Sequence, residues 1–378
     1  MNISLVAGAR PNFMKIAPII HAIKIKNEKL KIKSGQDKWS FIKYRLVHTG
    51  QHYDEKMSET FFRELNIPEP DVNLGCGGGT QAEQTAAIMV AFEKELIAHP
   101  ADLVIVVGDV NSTLACSIVA KKLNTKVAHV EAGIRSGDMS MPEEINRIVT
   151  DSITDYFFTT TTWANQNLLK SGIDEKRIFL VGNVMIDTLM ANQHRFYPPP
   201  FWEIFNLQPG QYFVLTLHRP ANVDDAQKLK SMIHEIVTNI DGLPVIFPMH
   251  PRTFKVYSEL GISYPNLYTV EPLGYLSFNY LVKHAKAVIT DSGGITEETT
   301  VMGIPCITLR DTTERPETVE IGTNELVGSN PKAIKAALEI LKRGEWKKGK
   351  IPELWDGKTA ERIVNVLIKL RDYSNYYV

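Results

Sequence analysis

Apolar runs of strand length alternate with helical patterns through most of the chain, and this alternation constrains the fold more than any other feature. "ISLVAG", "YRLVHT", "DLVIVVG", "KVAHVEAG", "YFFTT" and "IFLVG" come first, separated by segments such as "TQAEQTAAIMVAFEKELIAH", where apolar residues recur at helical spacing. Strands that are apolar almost throughout, joined by helices, belong to a parallel sheet covered on both faces. The pattern stops at "HRFYPPPFWEIFNLQPGQ", because three successive prolines can continue neither a helix nor a central strand. It restarts with "YFVLTLH", "PVIFPMH", "NLYTV", "AVITDSGG" and "PCITL". At 378 residues and 44% hydrophobic content the chain exceeds the size at which one core stops growing. The expectation is an α/β protein of two doubly wound, Rossmann-like domains facing a central cleft, residues 1–195 and 196–355, joined by a proline linker.

Charge and cysteine usage exclude several classes of function. Lys+Arg 42 against Asp+Glu 43 leaves a net charge of -1, so no broad basic field exists to hold nucleic acid or an anionic membrane surface. Any anion must be held by a local site. Cys76, Cys116 and Cys306 are odd in number, far apart and never spaced as C-x-x-C, which argues against disulfides and structural zinc. The start "MNISLVAGARPN" lacks a basic leader, and no apolar run reaches membrane-spanning length, so a soluble cytoplasmic protein is expected. The basic stretch "KNEKLKIKSGQDKWSFIK" shows no clear periodicity and reads as a solvated surface excursion.

Ligands of open parallel sheets sit beyond the carboxyl ends of the strands, so polar residues there are the candidates for chemistry. "GARPNFMK" supplies Arg10 and Lys15, but its single glycine is not the dinucleotide fingerprint. On spacing alone, Asp109 in "GDVNST" reads as a turn or helix-cap residue. Glu131 in "HVEAGIRS" follows an almost wholly apolar strand, where a desolvated carboxylate suits acid–base work. In "SMPEEINR", Ser140 and Glu143 are spaced as a capping box around Pro142, and Glu143 and Arg147 lie four apart on one helical face. His218 with Arg219, and His250 with Arg252, close two successive strands. In "DSGGITEE", Ser292, Gly293 and Gly294 open a helix whose backbone N–H groups suit a diphosphate, and Glu298 could accept from a ribose diol or only complement the first turn. Arg310, Arg315 and Glu317 in "RDTTERPE" either reach the same cleft or form a salt-bridged surface loop.

In order and spacing, "GARPNFMK", "GQHYD", "GD-x-x-ST", "HVEAG-x-R", "PEE-x-NR", "DSGGI-x-EE" and "RDTTERPE" resemble the non-hydrolysing UDP-N-acetylglucosamine 2-epimerase family over essentially the whole chain. The resemblance implies a glycosyltransferase B-type fold with UDP clamped between the domains, and a C-terminal helix within residues 356–378 crossing back to the N-terminal domain. It implies inversion at C2 by elimination of UDP to a 2-acetamidoglucal and re-addition to the opposite face, with no cofactor and no metal. A homodimer acting on a UDP-sugar is the expected assembly. Carried over residue by residue, Asp109, Glu131 and Glu143 match catalytic carboxylates, and His218 matches the histidine that assists departure of UDP. Arg10, Ser292, Gly293 and Gly294 match diphosphate positions and Glu298 the ribose ligand. Lys15, Arg135, Arg147 and Arg315 match other charges lining the cleft, with His250 as a further substrate contact. Asn12 stands where many members carry glutamate, and Val110 where threonine is usual, so both are expected to alter sugar contacts. Gln51 and His52 match a pair near which some bacterial members bind an activating second substrate, although "LGCGGGT" lacks the arginine such members contribute. Two other readings stay open: a UDP-diacetamido uronic acid as substrate, and a retaining glycosyltransferase, which would need an acceptor site rather than three carboxylates around the sugar.

Overall fold

The computed structural model describes residues 1–34, 42–51, 62–249 and 251–374. The chain divides into two compact units, one of Met1–Ala191 with Glu353–Val378 and one of Asn192–Pro352.

The first unit is built on β1 (Asn2–Ala7), β2 (Lys43–His48), β3 (Val72–Asn73), β4 (Leu103–Val107), β5 (Lys126–Val130), β6 (Tyr156–Thr159) and β7 (Ile178–Leu180). These pair as one parallel sheet in the order β3-β2-β1-β4-β5-β6-β7. The second unit repeats the plan with β8 (Phe213–Thr216), β9 (Val245–Pro248), β10 (Leu267–Val270), β11 (Ala287–Thr290), β12 (Cys306–Thr308) and β13 (Asn324–Leu326), ordered β10-β9-β8-β11-β12-β13. In each sheet the strand order reverses beside the unit's first strand, between β1 and β4 and between β8 and β11. Such a reversal opens a crevice at the carboxyl ends. Both sheets are therefore of the expected doubly wound α/β class.

Burial explains the apolar strands. All five residues of β4 are buried, and Val104 and Val106 pack with Ile88 and Phe92 of the Gln81–Ala98 helix. In the second unit Phe213, Leu215, Ile289 and Ile307 pack against Leu229, Met232, Ile233 and Ile236 of the Ala226–Thr238 helix. Each such side chain contributes about 1.5–3 kcal/mol on burial.

Two expectations are corrected. Residues 26–34 of the basic stretch continue the helix Arg10–Ser34, while 35–41 lie outside the described residues. The segment after the prolines is no bare linker, since Phe201, Trp202 and Phe205 pack on the second unit's core and Trp202 meets Tyr212 edge-on at 5.6 Å. Strands β3 and β13, of two and three residues, were not read because periodicity needs a longer run.

The C-terminal helix Thr359–Ser374 belongs to the first unit. Its open N–H groups are satisfied by Asp187, whose carboxylate accepts from Thr359 N at 3.1 Å and Ala360 N at 2.7 Å. Such capping supplies the hydrogen bonds that a helix start lacks. Among the described residues no helix is long and apolar enough to cross a membrane.

Candidate active site

The crevice between β1 and β4 gathers the charged residues of the first unit. Gly8 follows β1 with no room for a side chain, because a Cβ there would lie 1.9 Å from Ser112 Oγ. Asn12 is buried behind this loop. Its Oδ1 accepts from Gly8 N (3.1 Å) and Ala9 N (2.8 Å), and its Nδ2 donates to Val107 O (2.8 Å). Asn12 therefore braces the loop, a role in which a glutamate could not donate to Val107. One turn on, Lys15 sends Nζ to within 2.6 Å of Glu131 Oε2. Glu131 is 4% exposed and holds a left-handed backbone with φ 70°. That conformation is costly for a residue with a Cβ and persists where surroundings enforce it. Here Glu131 N and Ala132 N both donate to Phe158 O.

Asp109 follows β4. The cap of the next helix, Asn111–Lys122, is Val110 and not Asp109. The Asp109 carboxylate instead accepts from Arg147 Nη2, while its backbone carbonyl accepts from Asn146 Nδ2 at 2.9 Å. The capping box expected from Ser140 and Glu143 does not form, since helix Pro142–Ile153 has Met141 at its cap position without a side-chain bond, and Ser140 Oγ donates to Asp138. Nor does Glu143 pair with Arg147. The carboxylate that Arg147 meets on this helix is Glu144, at 2.8 Å, and Glu144 also accepts from Ser136 N and Gly137 N. Burial works to raise Glu144, yet these bonds and the Arg147 charge hold its carboxyl below the usual range. Among the described residues no hydrogen bond or ion pair is recorded for the Glu143 carboxylate. Arg135 donates to Asp151 Oδ2 at 2.6 Å. Gln51 is occupied as well, its Oε1 accepting from Ser112 N and Oγ.

The second unit repeats the logic at the β8/β11 crevice. Asp291, fully buried at the end of β11, accepts from the backbone N–H groups of His218 and Arg219 and from Asn222 Nδ2. His218 Nδ1 lies 2.8 Å from Asp291 Oδ1, while its ring is 54% exposed. Burial would raise Asp291, but hydrogen bonding and charge from His218 and the donors around it keep its carboxyl below the ordinary value. The helix Gly293–Met302 starts next door with Ser292 at its cap position, so its first N–H groups open where an anion would be stabilised. A Cβ on Gly293 would meet Glu314 Oε1 at 2.5 Å, whereas one on Gly294 would meet nothing within 4 Å.

Glu297 and Glu298 lie in the second turn of this helix, so neither serves as a first-turn charge. Glu298 is buried and accepts from the Tyr275 hydroxyl at 2.8 Å and from Asn279 Nδ2 at 3.5 Å. Burial pushes its carboxyl up to about 7, against the pull of those two donors. Arg315 pairs with Glu297 at 2.7 Å and Arg310 with Glu314 at 2.6 Å. Beyond β9 and β10 lies a largely apolar cavity of about 390 Å³ lined by Met249, Phe254, Thr269, Val270, Glu271 and Pro272. His250, His52 and the side chains of Arg10 and Arg252 lie outside the described residues.

The UDP-N-acetylglucosamine 2-epimerase family model matches residues 36–368. This chain belongs to the UDP-N-acetylglucosamine 2-epimerase family. A curated UDP-N-acetylglucosamine 2-epimerase of Methanocaldococcus jannaschii is 42% identical over 97% of this chain and 99% of its own length. The crystal structure of the Methanocaldococcus jannaschii UDP-GlcNAc 2-epimerase in complex with UDP-GlcNAc and UDP matches with a TM-score of 0.86 and 42% identity, covering 98% of this chain and 100% of that one. A UDP-2,3-diacetamido-2,3-dideoxy-D-glucuronate 2-epimerase of Pseudomonas aeruginosa is 40% identical over 87% of this chain and 89% of its own. The fold of this epimerase-family chain is accordingly the two-domain glycosyltransferase B type.

Lys15, Asp109, Glu131 and Arg147 thus stand at one crevice of the epimerase-family fold, and His218, Ser292, Gly293 and Gly294 at the other. Glu143 lies in the first turn of the Pro142–Ile153 helix, which supplies Arg147 to the first crevice. Asp291, Glu144 and Tyr275 escaped sequence reasoning. Asp291 alone carried a signal, as an acidic residue directly at the end of an apolar strand; the other two are recognisable only by the partner they reach.

Proposed function

We propose that the chain is a non-hydrolysing epimerase that interconverts UDP-N-acetylglucosamine and UDP-N-acetylmannosamine. The observation that carries the reading is a pair of carboxylates, Asp109 and Glu131, each held by its own cation at the switch point of the first sheet. The C2 proton is weakly acidic, so its removal needs a positioned base, and one carboxylate serves as base while another returns a proton. As the C2–H bond gives up its proton, the C1–O bond breaks and its electron pair leaves with UDP, forming the 2-acetamidoglucal. UDP then adds back with a proton on the other face of C2. Asp109, Glu131 and Glu143 are the proton-transfer groups in this reading, with Arg147 and Lys15 as the charge partners of the first two and Arg135, paired with Asp151, as a further charge of the site.

His218 assists the leaving diphosphate, which the helix start at Ser292, Gly293 and Gly294 and the side chain of Arg10 stabilise. Glu298 accepts from the ribose diol, the apolar cavity beyond β9 and β10 suits a planar base, and Arg315 and His250 complete the contacts. Residues 1–195 carry the proton chemistry and 196–355 hold UDP. The enzyme works in the cytoplasm as a homodimer. Exposed Val90 and Ile97 on the Gln81–Ala98 helix, beside an open groove lined by Leu74, Ala86 and Ala87, support self-association through that face.

Incubation with UDP-N-acetylglucosamine in deuterated water, followed by proton NMR, tests the reaction. UDP-N-acetylmannosamine carrying deuterium at C2 is the expected product; turnover without solvent label at C2 excludes the elimination. The uronic acid relative favours a second reading, which predicts that a UDP-diacetamido uronic acid turns over while UDP-N-acetylglucosamine does not.

A further inference from the structure

We propose that His129 is a positioning residue that ties the loop bearing Asp109 to the loop bearing Glu131. It rests on the epimerase reading of those two carboxylates. His129 sits on β5 and is fully buried. Its Nε2 is 2.8 Å from the carbonyl oxygen of Gly108, the residue before Asp109, and its Nδ1 is 2.7 Å from Asp151 Oδ1. A carbonyl oxygen only accepts, so Nε2 carries a proton. Burial works to raise Asp151, but the charge and hydrogen bonds of His129 and Arg135 hold its carboxyl below the usual range. Asp151 Oδ1 is the partner of Nδ1, so both ring nitrogens are committed to protein groups.

The second oxygen of Asp151 continues the tie. Oδ2 accepts from Gly133 N at 3.1 Å and from Arg135 Nη1 at 2.6 Å, and that same Nη1 donates to Ile134 O. Asp151 itself comes from the Pro142–Ile153 helix, which also supplies Glu143 and Arg147. One ring thus joins three elements: the turn after β4, the turn after β5 and the helix packed behind them. The backbone is left-handed at Gly108 (φ 70°), Glu131 (φ 70°) and Gly133 (φ 78°), so both turns are of the kind that needs outside bonds to hold its shape. Arg135 accordingly acts through Asp151 in this arrangement.

Two measurements test the proposal. In wild-type protein labelled with nitrogen-15 at histidine, His129 Nε2 should carry a proton, held on the carbonyl oxygen of Gly108. Asp151→Asn should turn its amide so that the NH2 faces Nδ1 and the carbonyl keeps Gly133 and Arg135, leaving the Nε2 bond and the turns in place. In His129→Gln, where one short amide cannot serve both acceptors, kcat should fall at least about tenfold, the scale of a small misplacement of reacting groups. KM and UDP affinity should stay within about twofold, and Asp151→Asn should lose less activity than His129→Gln. An Nε2 without a proton in wild type, wild-type kcat in folded His129→Gln, or a loss confined to KM would overturn the proposal. Should His129→Gln fail to fold, the wild-type ring signals and Asp151→Asn decide. A wild-type protein that leaves UDP-N-acetylglucosamine untouched defeats the epimerase reading instead, and the ring signals still judge His129.

Discussion

Lys15 Nζ and Glu131 Oε2 meet at 2.6 Å although they stand 116 positions apart in the chain. Lys15 is on the helix after β1 and Glu131 in the turn after β5, so only the crevice beside β1 brings them together. Removing the cation from a buried pair leaves a carboxylate with uncompensated charge. Lys15→Met should therefore reduce turnover by at least about tenfold, and Glu131→Gln or Asp109→Asn by about a hundredfold, the usual scale for a lost acid or base. UDP affinity, read by calorimetric titration, should survive in all three. A hundredfold loss of UDP affinity in Glu131→Gln would assign that residue to binding instead.

Adjacent Glu143 and Glu144 should respond oppositely. Glu143 has no bonded partner among the described residues, so Glu143→Gln should leave thermal stability within about 0.5 kcal/mol of wild type while turnover collapses. Glu144 holds Arg147 and two backbone N–H groups, so Glu144→Ala should cost roughly 2–4 kcal/mol in urea unfolding. Intact turnover in Glu143→Gln would remove it from the proton-transfer set.

Gly293 and Gly294 separate packing from ligand approach. Gly293→Ala should push the Glu314 carboxylate aside at small cost in stability, because its Cβ would meet Glu314 Oε1, whereas Gly294→Val enters open space and should leave the melting temperature close to wild type. Neither glycine has a positive φ, so backbone freedom does not account for them. Weakened UDP binding in Gly294→Val, measured by calorimetry, is the expected outcome; unchanged affinity would mean that the diphosphate lies elsewhere.

Glu298 links UDP binding to pH. With its carboxyl pushed up to about 7, the apo protein holds this proton more tightly than the unfolded chain does. The stability it contributes is present below the ordinary glutamate value and is lost as pH rises through about 7. A ribose diol needs the ionised acceptor, so UDP affinity should strengthen as pH rises from 6 towards 8. Glu298→Gln should flatten that dependence and weaken binding by roughly 1–3 kcal/mol. An equal slope in both proteins would assign the dependence to another group.

The sequence by itself determined the α/β class, the two parallel sheets and the strand ends at which polar residues collect. Those features are local: apolar runs, helical spacing and breaks at proline are written within a few residues of one another. It also named the charged residues that stand at the two crevices, because strand ends are where such sheets expose side chains. Pairing was decided only by the tertiary structure. Spacing pointed from Glu143 to Arg147, yet Arg147 reaches Glu144 and, across 38 positions, Asp109. Asn12 stood out only as a departure from the family pattern, and the bonds that make it a brace between β1 and β4 are tertiary. Asp291 and Asp151 escaped sequence reasoning, and only the fold makes them the anchors of His218 and His129. A carboxylate's role depends on which donors approach it and how much water leaves, and both are set by chain segments far away in sequence.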